Sequence, residues 1–291
     1  MNWLRLVRWI NLCVLLLAHL LFRYFLFPFV NLDSALSGFE FLALSFSILC
    51  VTASGNIINA IFDVNTDRIN NRKGPLVTGD ISIKSANLLY IILVCVSIIL
   101  ASYVSYKTNS WWLLFLEIAT IYVLYLYAKR LKGIAILGNI LVSLLVSLSL
   151  LILILIELPV QLDHSSLYWV LFYGIFAFWT NLNRDIIKDL QDIKGDYFKK
   201  YNTLPIILGR SRTNTVLFFS TSFLIIAVVI GVKNYLLAQT STLVYFIFAV
   251  CIPLVFAAYQ IFKFQEKIKY NRLSAIYKLV MLTGLLSMVI L

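Results

Sequence analysis

Apolar runs of roughly 20 residues recur along the whole sequence, and this recurrence limits the fold more than any other feature. Hydrocarbon offers no water to backbone N–H and C=O groups, so a segment that crosses it must satisfy them internally, as a helix does. Nine such helices are expected, over residues 9–30, 40–62, 86–106, 111–128, 134–156, 167–183, 214–232, 242–262 and 273–291. The composition agrees: 62% of residues are hydrophobic and 13% charged, where a soluble domain is nearer half apolar. The expected architecture is an all-α, polytopic membrane bundle around a central cavity, one domain over residues 1–291 set in a lipid bilayer.

The connections sort the basic residues onto one side. Arg5 and Arg8 precede the first run; Arg68, Arg72, Lys73 and Lys84 lie in the second connection, and Lys129, Arg130 and Lys132 in the fourth. The sixth adds Arg184, Lys188, Lys194, Lys199, Lys200, Arg210 and Arg212, and the eighth Lys263, Lys267, Lys269 and Arg272. Only Lys107 and Lys233 fall opposite, so the positive-inside rule puts the basic side and the N-terminus in the cytoplasm, with the cell (inner) membrane the expected location. The net charge of +11 then needs no nucleic-acid partner. The first run is long, lacks a small-residue cleavage site and is expected to be retained. Cys13, Cys50, Cys95 and Cys251 all sit inside apolar runs with no metal-ligand spacing, which predicts packing and no disulfide framework.

The 13 acidic residues are unevenly placed, and two aspartate clusters lie on the basic side. In the first, Asn59, Asp63 and Asp67 follow i, i+4, i+8 at the end of the second run, a spacing that keeps all three on one helix face. In the second, Asp185, Asp189, Asp192 and Asp196 follow i, i+4, i+7, i+11, again one stripe if the segment is helical, with Gly195 a weak point near its end. A carboxylate stripe is ordinarily a solvated face. Two such stripes at the same membrane face, in a chain that spends so little acid, instead call for a compensating cation, because like charges stacked at i, i+4 repel. Hard oxygens suit Mg²⁺, which commonly bridges one or two carboxylates to substrate phosphates. Asn59, Asp63, Asp67, Asp185, Asp189 and Asp192 are the expected metal ligands. Arg68, Arg72, Lys73, Lys188 and Lys194 are candidates for direct contact with phosphate oxygens; the alternative for each is ordinary positive-inside charge.

At these two regions the sequence resembles the UbiA superfamily of membrane prenyltransferases. Asn59-x3-Asp63-x3-Asp67, then Ile69-Asn70 and Pro75-Leu76-Val77-Thr78-Gly79, is similar to that family's N-x-x-x-D-x-x-x-D stretch and the proline-rich segment after it. Arg184-Asp185-Ile186-Ile187-Lys188-Asp189-x2-Asp192-x2-Gly195-Asp196, then Thr203-Leu204-Pro205 and Leu208-Gly209, is similar to the second motif. Tyr125, Tyr127, Lys129 and Arg130 resemble its Tyr-rich helix end, and Gly138-Asn139 a Gly-Asn pair opening the fifth helix. Three departures stand out: Gly74 replaces an Arg before Pro75, with Arg72 and Lys73 available to compensate; Asp185 replaces the commoner Glu; and Lys200-Tyr201-Asn202 interrupts the approach to Thr203.

The resemblance implies Mg²⁺-dependent transfer of an isoprenyl group from a diphosphate donor to a membrane-held acceptor. Asp63, Asp67, Asp185 and Asp189 would be catalytic, and Asn59, Tyr127 and Asn139 would join the bases in substrate binding, at the cytoplasmic face. The second motif looks closest to the branch that transfers a geranylgeranyl group to geranylgeranylglyceryl phosphate; an aromatic acceptor of quinone, haem or chlorophyll biosynthesis is the alternative. Phe62, Tyr125, Phe172, Phe176 and Trp179 are read either as core packing or as faces for an allylic cation. A transporter would place its charges near the midplane, whereas here only Arg23, Glu117 and Lys278 lie deep in the runs; Arg23 and Glu117 are read as a structural pair or as snorkelling, and His19 as a local hydrogen-bonder.

Overall fold

The computed structural model describes residues 1–32, 34–156, 164–236, 240–263 and 269–291; Lys267 lies outside them. Nine long helices make up the bundle, with no β-strand among the described residues. They are α1 (Trp9–Phe29), α2 (Gly38–Ile69), α3 (Ile83–Lys107), α4 (Trp112–Lys129), α5 (Leu137–Leu155), α6 (His164–Phe198), α7 (Arg210–Lys233), α8 (Ser241–Lys263) and α9 (Tyr270–Val289). Among the described residues eight of these are long and apolar enough to cross a membrane. The ninth, α6, contains the predicted 167–183 span, whose apolar run is diluted by Thr180, Asn181 and Asn183. The protein is a multi-pass integral membrane protein.

The two motif-bearing helices are the longest, and length alone pushes their ends out of the hydrocarbon. At 1.5 Å per residue, the 32 residues of α2 and the 35 of α6 reach roughly 50 Å, against a hydrocarbon core of about 30 Å. Ser37 fixes where α2 starts: its hydroxyl accepts the Glu40 amide at 3.3 Å, while the Glu40 carboxylate accepts the Ser37 amide at 2.8 Å. The apolar part of α2 is 67% buried, against 17% for α4, so α2 is the central span and α4 presents most of its surface to lipid. Around it, α2 packs on α3 and α4, α6 packs on α5, α7 and α9, and α2 touches α6. Phe115, Ile118 and Tyr122 on α4, and Ile226, Val229 and Ile230 on α7, point outward, as lipid-facing side chains do.

Lipid is as apolar as the side chains, so close packing and interhelical hydrogen bonds must supply the cohesion. A methyl group at Gly284 would lie 2.2 Å from the Phe176 ring, and one at Gly231 2.4 Å from Phe172; both aromatics are packed into helix contacts. Trp179 donates to Ser220 at 2.9 Å. Glu117 and Arg23 do not pair with each other; each finds a partner on another segment. Ser47 donates to Glu117 at 2.5 Å, and Arg23 donates to the Leu36 carbonyl at 2.8 Å while lying 4.5 Å from the centre of the Phe41 ring. His19 makes no local bond; its Nε2 meets the Ser149 carbonyl on α5 at 3.0 Å, because the ring faces the core and not its own helix turn.

Candidate active site

Both aspartate stripes form as their spacing predicts, and they converge at the basic end of the bundle. Helix α2 is unbroken through Ile69 and α6 through Phe198, so Asn59, Asp63 and Asp67 share one face and Asp185, Asp189, Asp192 and Asp196 another. Gly195 is not a break in α6. It is a place of close approach: a Cβ there would stand 2.5 Å from Asn70 Nδ2 and 3.1 Å from the Thr66 carbonyl. Into that gap fits Asn70, the C-cap of α2, whose Oδ1 accepts the Gly195 amide at 2.9 Å and whose Nδ2 donates to Asp192 at 3.2 Å. One side chain thereby fixes the register of the two stripes.

The cations that meet these carboxylates come largely from the connections. Lys132, in the turn between α4 and α5, is ion-paired with Asp63 Oδ2, and Lys199 lies 3.5 Å from Asp63 Oδ1. Burial opposes the charge of Lys132, and the Asp63 carboxylate overrides it, holding the ammonium above its usual range. Arg72 reaches Asp192 at 2.6 Å and Asp67 at 3.5 Å, bridging the stripes. Lys188 pairs with Asp185 at 2.5 Å, and Asn181 donates to the other Asp185 oxygen at 3.1 Å. Asn139 donates to Asp189 at 2.8 Å, and Gly138 makes this possible, since a Cβ there would meet the Leu131 carbonyl at 3.0 Å. Tyr127 lies in the combined field of Asp185, Asp189 and Asp63.

Of the predicted contacts, Arg72, Lys188, Tyr127 and Asn139 therefore join the cluster. Arg68, Lys73 and Lys194 are exposed, and their side chains make no hydrogen bond or ion pair among the described residues. Lys132, Lys199 and Asn70 are the residues that sequence spacing passed over. The two connections that carry the lysines dock on each other: the Asn202 amide donates to the Gly133 carbonyl at 2.8 Å, and a Cβ on Gly133 would meet the Tyr201 ring at 2.5 Å. The departure at Lys200-Tyr201-Asn202 is thus a packing element.

Of the clustered aspartates, Asp189 and Asp196 are held, among the described residues, by neutral donors alone, Asn139 and Thr203. Beyond the apolar part of α6, burial pushes the Asp189 carboxyl up to about 8, with Asp196 and Asp185 adding repulsion against the Asn139 hydrogen bond. Burial raises Asp196 to about 6, and it raises Asp192 despite Arg72. Asn59 Oδ1 and Asp63 Oδ1, one turn apart, are buried and accept no hydrogen bond. Among the described residues no group of three or more Asp, Glu, His or Cys could cage a metal unaided. The donor set suits a hard cation that keeps its water and shares ligands with phosphate, as Mg²⁺ does. Beside the stripes an open cleft of about 760 Å³ is lined by Asn70, Arg72, Asp192, Arg210, Lys269 and Arg272, a basic approach for an anion.

Known proteins share this architecture. The profile of the UbiA prenyltransferase family matches residues 7–282. Digeranylgeranylglyceryl phosphate synthase of Methanosphaera stadtmanae is 31% identical over 258 residues, 86% of this chain and 87% of its own length. The synthase of the same name from Methanothermobacter thermautotrophicus is 29% identical over 253 residues, 86% of this chain and 85% of its own. Among solved structures, one of a digeranylgeranylglyceryl phosphate synthase superposes with a TM-score of 0.67 at 23% identity, covering 99% of this chain and 96% of its own. A UbiA homologue from Archaeoglobus fulgidus bound to DMAPP and Mg²⁺ superposes at 0.59 and 18% identity over 100% of both chains.

Proposed function

Because the chain belongs to the UbiA prenyltransferase family, we propose that it transfers a geranylgeranyl group from its diphosphate to geranylgeranylglyceryl phosphate, with Mg²⁺, at the cytoplasmic face of the membrane. The observation that carries the site assignment is the convergence of two aspartate stripes around buried oxygens of Asn59 and Asp63 that accept no hydrogen bond. Asn59, Asp63 and Asp67 on one side, and Asp185, Asp189 and Asp192 on the other, would hold the metal. When bound, Mg²⁺ supplies positive charge to the departing diphosphate.

In the reaction the allylic C–O bond of the donor breaks, diphosphate leaves with the electron pair, and the acceptor hydroxyl oxygen forms an ether to that carbon, its proton passing to the released diphosphate. Arg72, Lys132, Lys188 and Lys199 stand ready for this, each within reach of a carboxylate that metal binding would claim, free to turn to phosphate oxygens instead. Phe62 on α2 and Tyr125 on α4 meet edge to face at 6.0 Å and would offer aromatic faces to an allylic cation formed near them. Incubating purified protein with Mg²⁺, labelled geranylgeranyl diphosphate and a panel of glycerophosphate-lipid and aromatic acceptors should yield a labelled glycerophosphate ether; an aromatic product in its place would overturn the acceptor.

The raised Asp189 carboxyl adds a pH dependence with a definite sign. Below about 8 it holds a proton that a metal must displace, so metal binds more tightly as pH rises. The half-saturating Mg²⁺ concentration for prenyl transfer should fall roughly tenfold per pH unit in this range. Activity titrated with Mg²⁺ at pH 6.5 and 7.5 measures it, and equal requirements would remove Asp189 from the ligand set.

A further inference from the structure

We infer that Arg8, Arg184 and Lys278 form a second anion subsite, separate from the metal-binding carboxylates, that takes the phosphate of a lipid-borne acceptor. The inference rests on the acceptor class proposed above. Asp63 is matched by Lys132 and Lys199, Asp67 and Asp192 by Arg72, and Asp185 by Lys188. Arg8, Arg184 and Lys278, like the exposed Arg68, Lys73 and Lys194, make no ion pair among the described residues, but the Arg184 Nε is in addition buried without a hydrogen-bond partner. A buried guanidinium nitrogen with no acceptor, beside two further cations that make no ion pair, calls for an anion.

Their placement brings them together from three helices. The Asn183 amide reaches the Tyr277 hydroxyl at 3.4 Å, joining α6 to α9 one residue before Arg184 and Lys278, and the charge of Arg184 acts on Lys278. Arg8 joins the short helix Asn2–Val7 to α1, and Asn56 of α2 donates to the carbonyl just before it, Val7, at 3.0 Å. That bond pins the junction one turn from Asn59. Arg8 itself has φ 57° and ψ 52°, a left-handed conformation costly for any residue with a Cβ and retained here at the join. The charge of Arg8 acts on Arg184, Lys188 and Lys278 as well as on Asp67 and Tyr127, so it faces the site.

The lipid origin of the anion follows from Lys278. It lies about 12 Å along α9 from Tyr270, within a membrane-spanning helix, yet is exposed and next to exposed Leu279. A lysine there is expensive unless it meets water or an anion. A soluble diphosphate reaches the open cleft at the mouth, whereas a headgroup whose chain stays in the bilayer arrives from the side, where Lys278 sits. Holding its phosphate on separate cations also keeps it from repelling the donor diphosphate.

Arg8→Gln and Lys278→Gln, both at exposed positions, test this in the full-length protein in lipid nanodiscs. Each should raise KM for geranylgeranylglyceryl phosphate ~10-fold or more, as loss of a charge-assisted contact would. The preference for that acceptor over its dephosphorylated form should fall by the same factor, while KM for geranylgeranyl diphosphate does not follow. A rise in the donor KM with an unmoved acceptor preference would assign these cations to the diphosphate and overturn the subsite. An unchanged preference with both KM values unmoved would leave Lys278 an interface anchor, and overturn it as well. Wild-type protein that ignores the phosphorylated acceptor would instead defeat the functional reading, and the subsite with it, before any variant is made.

Discussion

Asp189→Ala is expected to lower kcat for prenyl transfer by at least ~10³-fold while the protein remains inserted and helical. Among the clustered aspartates this is the cleanest deletion, because the partner it leaves behind is the neutral amide of Asn139. Asp63→Ala should be as inactive but harder to interpret. It strands Lys132, whose side chain is 23% exposed, at a cost on the order of 3–5 kcal/mol, and leaves Lys199 only the Phe62 carbonyl. Product formation from labelled donor, alongside circular dichroism and thermal unfolding, separates the two effects. More than a tenth of wild-type turnover in folded Asp189→Ala would exclude Asp189 from the reaction centre.

The second large effect is expected at Asn70, which touches no substrate in this scheme. Asn70→Ala removes both the acceptor of the Gly195 amide and a donor to Asp192, so the ends of α2 and α6 lose their common register. Displacing catalytic groups by about 1 Å costs roughly 10²-fold, and a loss of that order in kcat is expected, with a raised Mg²⁺ requirement. Gly195→Val should do more, because its Cβ would fall 2.5 Å from the Asn70 amide and 3.1 Å from the Thr66 carbonyl, pushing the helices apart. Asn70→Ala activity within twofold of wild type, measured at saturating Mg²⁺, would mean that the stripes find their register without the clamp.

The sequence made the helices and both stripes legible because these are properties of one helix at a time. Apolar runs report the spans, and an i, i+4 repeat reports a shared face wherever the helix continues, as α2 does to Ile69. What one helix cannot report is its partner. Lys132 and Lys199 read as ordinary positive-inside charge, since nothing in their spacing says that a turn carries Lys132 onto Asp63. Arg68 and Lys194 sit within the motifs and yet face solvent, because residues next to a ligand along a helix point about 100° away from it. Gly195 looked like a helix end for a similar reason: its value lies in a contact with a residue 125 positions away.

The docking of the α4–α5 turn against residues 199–202 links two stretches that are far apart in the chain. Each carries one of the two ammonium groups on Asp63, and each is held by the other through the Gly133 carbonyl and the Tyr201 ring. An insertion or deletion in either one would shift both lysines at once. Among homologues, the lengths of these two stretches should therefore change together, and a chimera that exchanges only one of them should inherit a misplaced pair.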